Sequence, residues 1–194
     1  LQIKLLPTKE QAQFLIETLK KSNIACNKIS EIAWKEKTFN QFKVHHLVYH
    51  PIKKSSDLSA QMVVRLISKL VDAYKNGRFK QRTFRLNGGI TYDPRILSYK
   101  GVVVSIWSVK GRLKIPFVCH NPKYLPYIKG EGDLVTKKGK WFLFQTVEVP
   151  EESIKDVEKF IGVDFGQKSI AMLSDGTDFC SAKLNAIRDK RFRV

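Results

Sequence analysis

Apolar residues recur along this chain at two different periods. In LQIKLLP they alternate, as on a strand with one covered face, and Pro7 closes the run. TKEQ follows, with Thr8 as a helix N-cap and Gln11 three residues on, the spacing of a capping box. Ala12, Leu15, Ile16 and Leu19 then repeat at helical spacing, and Ala25, Ile29, Ile32 and Ala33 form a second helical phase. Residues 38–56 show no clear period, and Pro51 is expected to break them. DLSAQMVVRLISKLVDAYKNG carries Val63, Leu66, Ile67, Leu70 and Tyr74 on one stripe, with Gly77 suited to the C-terminal stop.

The period changes to two after GRFKQRTFR. Gly88-Gly89 between short alternating runs predicts a hairpin turn, and Lys110-Gly111 and KKGK predict two more. Residues 84–150 therefore read as an antiparallel β unit, a small barrel or strongly bent sheet, and EESIKDVEK reads as a polar connector. The strand LQIKLLP stands alone before the helices and needs a sheet to pair with. The nearest sheet lies after residue 83, which makes the helical block an insertion. The predicted fold is α+β: an antiparallel β-barrel from 1–7 and 84–158, a helical insertion over 8–83, and the first strands of a further domain over 159–194.

Charge narrows the function. Lys and Arg number 35 against 18 Asp and Glu, a formal net charge of +17. Such an excess calls for a polyanion, and nucleic acid is the commonest. A membrane-surface role would favour a single basic amphipathic helix, whereas here the basic residues are spread along the whole length. No apolar run approaches the roughly 18 residues that span a bilayer. Cys26, Cys119 and Cys180 form no CxxC and no disulfide framework, which points to a reducing compartment. No signal peptide is expected before Leu1. The start without Met and the end in RDKRFRV suggest part of a longer protein.

Three basic segments are interleaved with aromatics. Arg78, Lys80, Arg82 and Arg85 lie beside Phe79 and Phe84; Lys110, Arg112 and Lys114 lie near Trp107; Lys137, Lys138 and Lys140 lie near Trp141. Basic side chains hold phosphates while aromatic rings stack bases. Trp107 and Trp141 are expected to serve the β core instead. His46 and His50 have a spacing that zinc ligands use, without a Glu after His46 or a third ligand nearby. His45 and His120 read as structural or surface residues, and Cys26 reads as a small core residue.

FIGVDFGQKSIAMLSDG, residues 160–176, reads as a buried hairpin with turns at Gly166-Gln167-Lys168 and Asp175-Gly176. Asp164 sits on its apolar first arm, and an ionised carboxylate there needs a partner. A lysine, a turn amide or a hard divalent cation would serve. Two such ions about 4 Å apart hydrolyse phosphodiesters, held by several carboxylates; this strand supplies one.

IGVDFGQKSIAMLSDG resembles the first catalytic motif of RuvC-like nuclease domains, which have the ribonuclease H fold. More narrowly, it resembles that motif in the TnpB family of transposon-encoded RNA-guided nucleases, relatives of type V CRISPR effectors. The other landmarks follow in the family's order. LQIKLLPTKEQ resembles its opening strand and first helix. IACNKISEIAW resembles its Gly-Ala-Cys-Arg segment, with Ile24 and Asn27 where Gly and Arg are usual. LSAQMVVRLISKLVDAYK is similar to the helix before its basic linker, and GKWFLFQTVEVP to its last strand before the nuclease domain.

The resemblance implies a wedge barrel that holds guide RNA, a helical recognition insertion and a DNA target. It also implies a Mg2+ (or Mn2+) nuclease whose first catalytic and metal-binding Asp is Asp164, in the cytoplasm of a prokaryote in association with the nucleoid. The family's later Glu and Asp are not matched, since Asp175, Asp178 and Asp189 follow too soon. Its zinc ribbon would lie beyond residue 194. The 194 residues alone are therefore expected not to cleave DNA. Two alternatives accompany this reading. One is a nuclease-dead RNA-guided repressor of the same fold. The other is an actin-like ATPase, whose first phosphate strand reads much like IGVDFG but normally opens the protein.

Overall fold

The structure, a computed structural model, describes residues 1–75, 77, 80–151, 160–166 and 169–192. The chain divides into two compact units, Leu1–Pro150 and Glu151–Val194. The first is α+β. Its order is β1 (Gln2–Leu5), α1 (Lys9–Lys35), α2 (Gln41–Ser55), α3 (Ala60–Lys75), β2 (Ile90–Tyr92), β3 (Leu97–Lys100), β4 (Val103–Ser108), β5 (Gly111–Cys119), a 3-10 turn (Pro122–Tyr127), β6 (Ile128–Lys137) and β7 (Lys140–Val147).

The strand LQIKLLP finds the sheet it needs. β1 lies between β5 and β7, antiparallel to both, with Leu5 opposite Phe117 on one side and Trp141 on the other. Ile3 and Leu5 are buried while Gln2 and Lys4 are exposed, as the alternation requires. The full strand order is β2-β6-β7-β1-β5-β4-β3, antiparallel throughout. The two outer strands of that order, β2 and β3, are joined by the short link 93–96. The sheet therefore curls into a nearly closed barrel, with the Tyr92 hydroxyl of β2 donating to the Trp107 carbonyl of β4 at 2.9 Å.

Gln145 bridges the barrel interior. Its Oε1 accepts from the Tyr99 hydroxyl at 3.0 Å, and its Nε2 donates to the Glu131 carbonyl at 3.0 Å. This buried amide fits because position 132 is glycine: a Cβ there would run into Gln145 Oε1, with Leu97 Cδ2 at 3.0 Å. The β4–β5 and β6–β7 turns fall where the sequence predicts them. Gly111 has φ +92°, and Lys138 and Gly139 have φ +50° and +73°, the paired positive values of a type I′ hairpin.

Between β1 and β2 stand three helices. The capping box is formed: Gln11 N donates to Thr8 Oγ1 at 3.2 Å, and Thr8 N donates to Gln11 Oε1 at 3.1 Å. The two helical phases seen in the sequence are one continuous helix, α1, whose 27 residues extend about 40 Å. It packs against α2 and α3 and reaches β2 and β4. The α3 stripe Val63, Leu66, Ile67, Leu70 and Tyr74 is buried as expected, and Cys26 is buried with it.

Residues 38–56 correct the sequence reading: α2 runs through Pro51. A proline in a helix costs about 3 kcal/mol. Against this stand the burial of Val48 and Ile52, worth about 1.5–3 kcal/mol each, and the Asn40 cap bonded to Phe42 N and Lys43 N, worth about 1 kcal/mol. Pro51 itself is exposed, one turn from the C-terminal end, so the sum favours continuing the helix.

The second unit contains β8 (Val163–Asp164), β9 (Ser169–Leu173), β10 (Asp178–Cys180) and α4 (Ala182–Phe192). Its strands form an antiparallel sheet in the order β10-β9-β8. The Asp175-Gly176 turn is present, with Gly176 at φ +88° and Leu173 N bonded to the Thr177 carbonyl. The burial expected for the first arm is not found: Phe160, Ile161, Val163 and Phe165 are all exposed. Among the described residues, only Ser169, Ala171 and Leu173 of this small sheet's central strand are half-buried.

Replacing Gly132 by Ala displaces Gln145 from the barrel interior. The expected loss is about 1–3 kcal/mol of unfolding free energy, read as a lower midpoint in urea with an unchanged slope. A wild-type midpoint would contradict the packing described.

Candidate nucleic-acid interface and metal ligand

The basic segment GRFKQRTFR was expected to lead into a hairpin at Gly88-Gly89. Instead, Arg85 to Gly88 form a tight turn in which Gly88 N donates to the Arg85 carbonyl at 2.8 Å, and residues 80–84 before it join no sheet. They form a strap held by side chains of α1. Ser30 Oγ donates to the Arg82 carbonyl at 2.6 Å. Asn27 pairs with both backbone groups of Phe84, donating to its carbonyl at 3.0 Å and accepting from its N–H at 2.7 Å. Asn23 Nδ2 donates to the carbonyls of Leu86 at 3.1 Å and Gly88 at 2.8 Å. From α3, the Tyr74 hydroxyl accepts from Arg82 N at 2.9 Å and bonds Ser30 Oγ at 3.0 Å. Gly88 is glycine for a spatial reason: a Cβ would stand 2.9 Å from the Arg85 carbonyl, beside Asn23.

Lys69 completes the grip. Its ammonium donates to Asn23 Oδ1 at 2.9 Å and to the Gly89 carbonyl at 2.8 Å, and lies 4.9 Å from the centre of the Phe84 ring. Burial pulls its pKa below the usual lysine range.

The predicted phosphate-binding residues fall into distinct settings. Arg78 lies outside the described residues. Lys80 and Arg85 are exposed on the strap. Arg82 turns inward: its Nη2 donates to the Gly77 carbonyl at 2.9 Å and its guanidinium lies 6.0 Å from the Tyr74 ring centre. Lys110 is exposed at the β4–β5 turn, which is tied to α1 by Val109 N donating to Thr18 Oγ1 at 3.1 Å. Arg112 is held against the outer face of the sheet. It lies 5.6 Å from the centre of Trp107 and donates to the Arg95 carbonyl at 2.6 Å and to Ser105 at 3.2 Å. Lys114 is exposed, and its carbonyl accepts from Gln11 Nε2 at 3.0 Å. Lys137, Lys138 and Lys140 are exposed around the β6–β7 turn, where Gly139, Lys140 and Trp141 share a cavity with Lys4, Lys9 and Ala12. Trp141 is buried and Trp107 half-buried.

These segments do not converge on one point. They meet α1 in succession, near its start, at Thr18 and at Asn23 to Ser30, a distance of about 30 Å along its axis. Sequence reasoning missed the residues that hold the strap. Their signal was present as three polar residues, Asn23, Asn27 and Ser30, at helical spacing inside an apolar-patterned helix. It also missed an open groove of about 760 Å³ on the outer barrel face, lined by Lys4, Val118, His120, Tyr124 and Phe142 among others.

Asp164 lies on β8 opposite Met172 and is exposed. Asp175 is engaged by its own turn: Thr177 N donates to its Oδ1 at 2.9 Å, and this bond holds its carboxyl below the usual range. Among the described residues no three His, Cys, Asp or Glu side chains gather as a cation site. A two-ion centre needs several carboxylates, so the described residues do not fit one, and His46 and His50 stand on α2 without a third ligand. No helix of the described residues is long and apolar enough to cross a membrane. The chain matches no protein-family model and no curated protein.

Asn23→Leu, close in volume, leaves the Lys69 ammonium and the Leu86 and Gly88 carbonyls without their partner. The expected cost is about 2–4 kcal/mol, measured by urea denaturation. A loss below about 0.5 kcal/mol would show that the strap does not depend on Asn23.

Proposed function

We propose that this chain binds guide RNA as part of an RNA-guided DNA endonuclease of the TnpB type. The observation that carries the reading is the placing of a three-helix block between β1 and the rest of a barrel-like sheet, with basic segments touching α1 in succession. This placing is consistent with the wedge barrel and helical insertion that the sequence resemblance implies. The net charge of +17 supports a polyanionic partner, and exposed Lys80, Arg85, Lys110, Lys114, Lys137, Lys138 and Lys140 are the phosphate contacts in this reading. The target DNA engages the same basic body, with sequence read by pairing to the guide.

β8 to β10 are, on this reading, the leading strands of an RNase H-like sheet, and Asp164 contributes one carboxylate toward Mg2+ or Mn2+. The remaining ligands are not among the described residues, and no catalytic step is assigned to them. The protein acts on nucleic acid in the prokaryotic cytoplasm.

The chain is expected to bind a structured RNA with affinity that falls at least about tenfold between roughly 50 and 200 mM salt, measured by fluorescence anisotropy. Salt-independent or undetectable binding would remove the reading. In the protein that carries the other carboxylates, Asp164→Ala should abolish Mg2+-dependent DNA cleavage and leave RNA affinity within about twofold. Cleavage that survives removes Asp164 from the metal site. Guided DNA binding by the unaltered protein without cleavage would identify the nuclease-dead alternative.

A further inference from the structure

Ser30, Asn27 and Asn23 project from one face of α1 on successive turns, about 4.5 and 6 Å apart along the axis. The strap passes them in the opposite direction, with Arg82 at Ser30, Phe84 at Asn27, and Leu86 and Gly88 at Asn23. Two strap residues pass for each of these contacts, so its backbone is close to extended there. Burial alternates over 81–85 in keeping with this: Arg82 and Phe84 are half-buried, while Gln81, Thr83 and Arg85 are exposed. Gln81, Thr83 and Arg85 thus project outward about 6–7 Å apart, comparable to the spacing of successive phosphates along one strand, and Lys80, also exposed, stands just before them.

Building on the RNA-binding reading above, we propose that residues 80–85 form a preset rail for the sugar–phosphate backbone of an RNA strand. Lys80 and Arg85 contact phosphates in it, and Asn23, Asn27 and Ser30 are its positioning residues. Gln81 and Thr83 lie between the two charges and both donate and accept hydrogen bonds, which suits the 2′-hydroxyl that distinguishes RNA from DNA. Arg82 takes no part, being committed to Gly77 and Tyr74. Because α1 fixes the strap beforehand, RNA binding need not order it, and that ordering cost is avoided.

The test uses the full 194-residue chain and a fluorescein-labelled RNA hairpin with a single-stranded tail, titrated over a range of salt. Lys80→Gln with Arg85→Gln should lower the slope of log affinity against log salt by about 1.4, at about 0.7 for each lost single-strand phosphate contact. Asn27→Leu removes no charge, yet should lower the slope by about 0.7 or more, since it unseats the rail. Val48→Ala in α2 is the comparator for lost stability and should leave the slope unchanged. If Asn27→Leu does not fold, Ser30→Ala removes single bonds to Arg82 and Tyr74 and should shift the slope in the same direction. Unchanged slopes in the Lys80/Arg85 variant or the positioning variant, with the wild-type slope intact, overturn the rail alone. Equal affinity for the DNA version of the hairpin overturns the assignment to RNA. A wild-type chain without salt-dependent RNA affinity fails the earlier reading, and the rail falls with it.

Discussion

Backbone groups that leave regular structure still need hydrogen-bond partners, and the way this chain supplies them between α3 and β2 governs the first unit. An unpaired buried amide or carbonyl costs about 1–3 kcal/mol. The strap has no neighbouring strand, so α1 supplies side chains in its place. Asn27 presents an acceptor and a donor to Phe84 much as a paired strand would. Ser30, Tyr74 and Asn23 serve the residues on either side. The entry to the helical block is tied as firmly, since the Gln11 side chain closes the capping box and also reaches the Lys114 carbonyl on β5. With entry and exit both fixed, the inserted helices and the barrel make one body, as their shared core indicates.

The same grip explains an otherwise costly residue. Lysine is seldom buried, and Lys69 would be expensive in an apolar site. Here three donors on one compact ammonium meet the Asn23 oxygen, the Gly89 carbonyl and the face of Phe84. No neutral side chain of that length offers the same set. The protein also carries a large positive excess that strains the compact state by self-repulsion. The strap places Lys80 and Arg85 outward and turns Arg82 inward against a carbonyl and a ring, so part of that excess is spent on structure and part is held at the surface.

What the sequence disclosed and what it hid have physical causes. The α3 stripe, the capping box, the Lys110-Gly111 and KKGK turns and the sheet pairing of the first strand were all legible, because periodicity and positive-φ turn residues are local signals. The helix through Pro51 was hidden, because the burial of Val48 and Ile52 that outweighs the proline depends on tertiary neighbours. The strap was read as a hairpin because Gly88-Gly89 looks like a turn between strands. The turn is there, but what precedes it bonds to Asn23, Asn27 and Ser30, more than fifty residues earlier. Of the candidate site, the exposed basic residues could be listed from the sequence, whereas the inward commitment of Arg82 and the seating of Arg112 on Trp107 could not.

The chemistry assigned to Asp164 depends on its surroundings more than on its identity. An aspartate forced into an apolar interior must find a cation or change its protonation. In the three-stranded sheet as it stands, Val163 and Phe165 beside it and Ile170 and Met172 on the neighbouring strand are all exposed, so water solvates the carboxylate at no cost. These side chains lie on both faces, since neighbours along a strand point to opposite sides. They are what a sheet with layers on both sides would use, and α4 does not bury them, leaving its own Leu184 and Ile187 exposed. On the proposed reading, a metal at Asp164 would therefore be called for only where both faces of that sheet are covered.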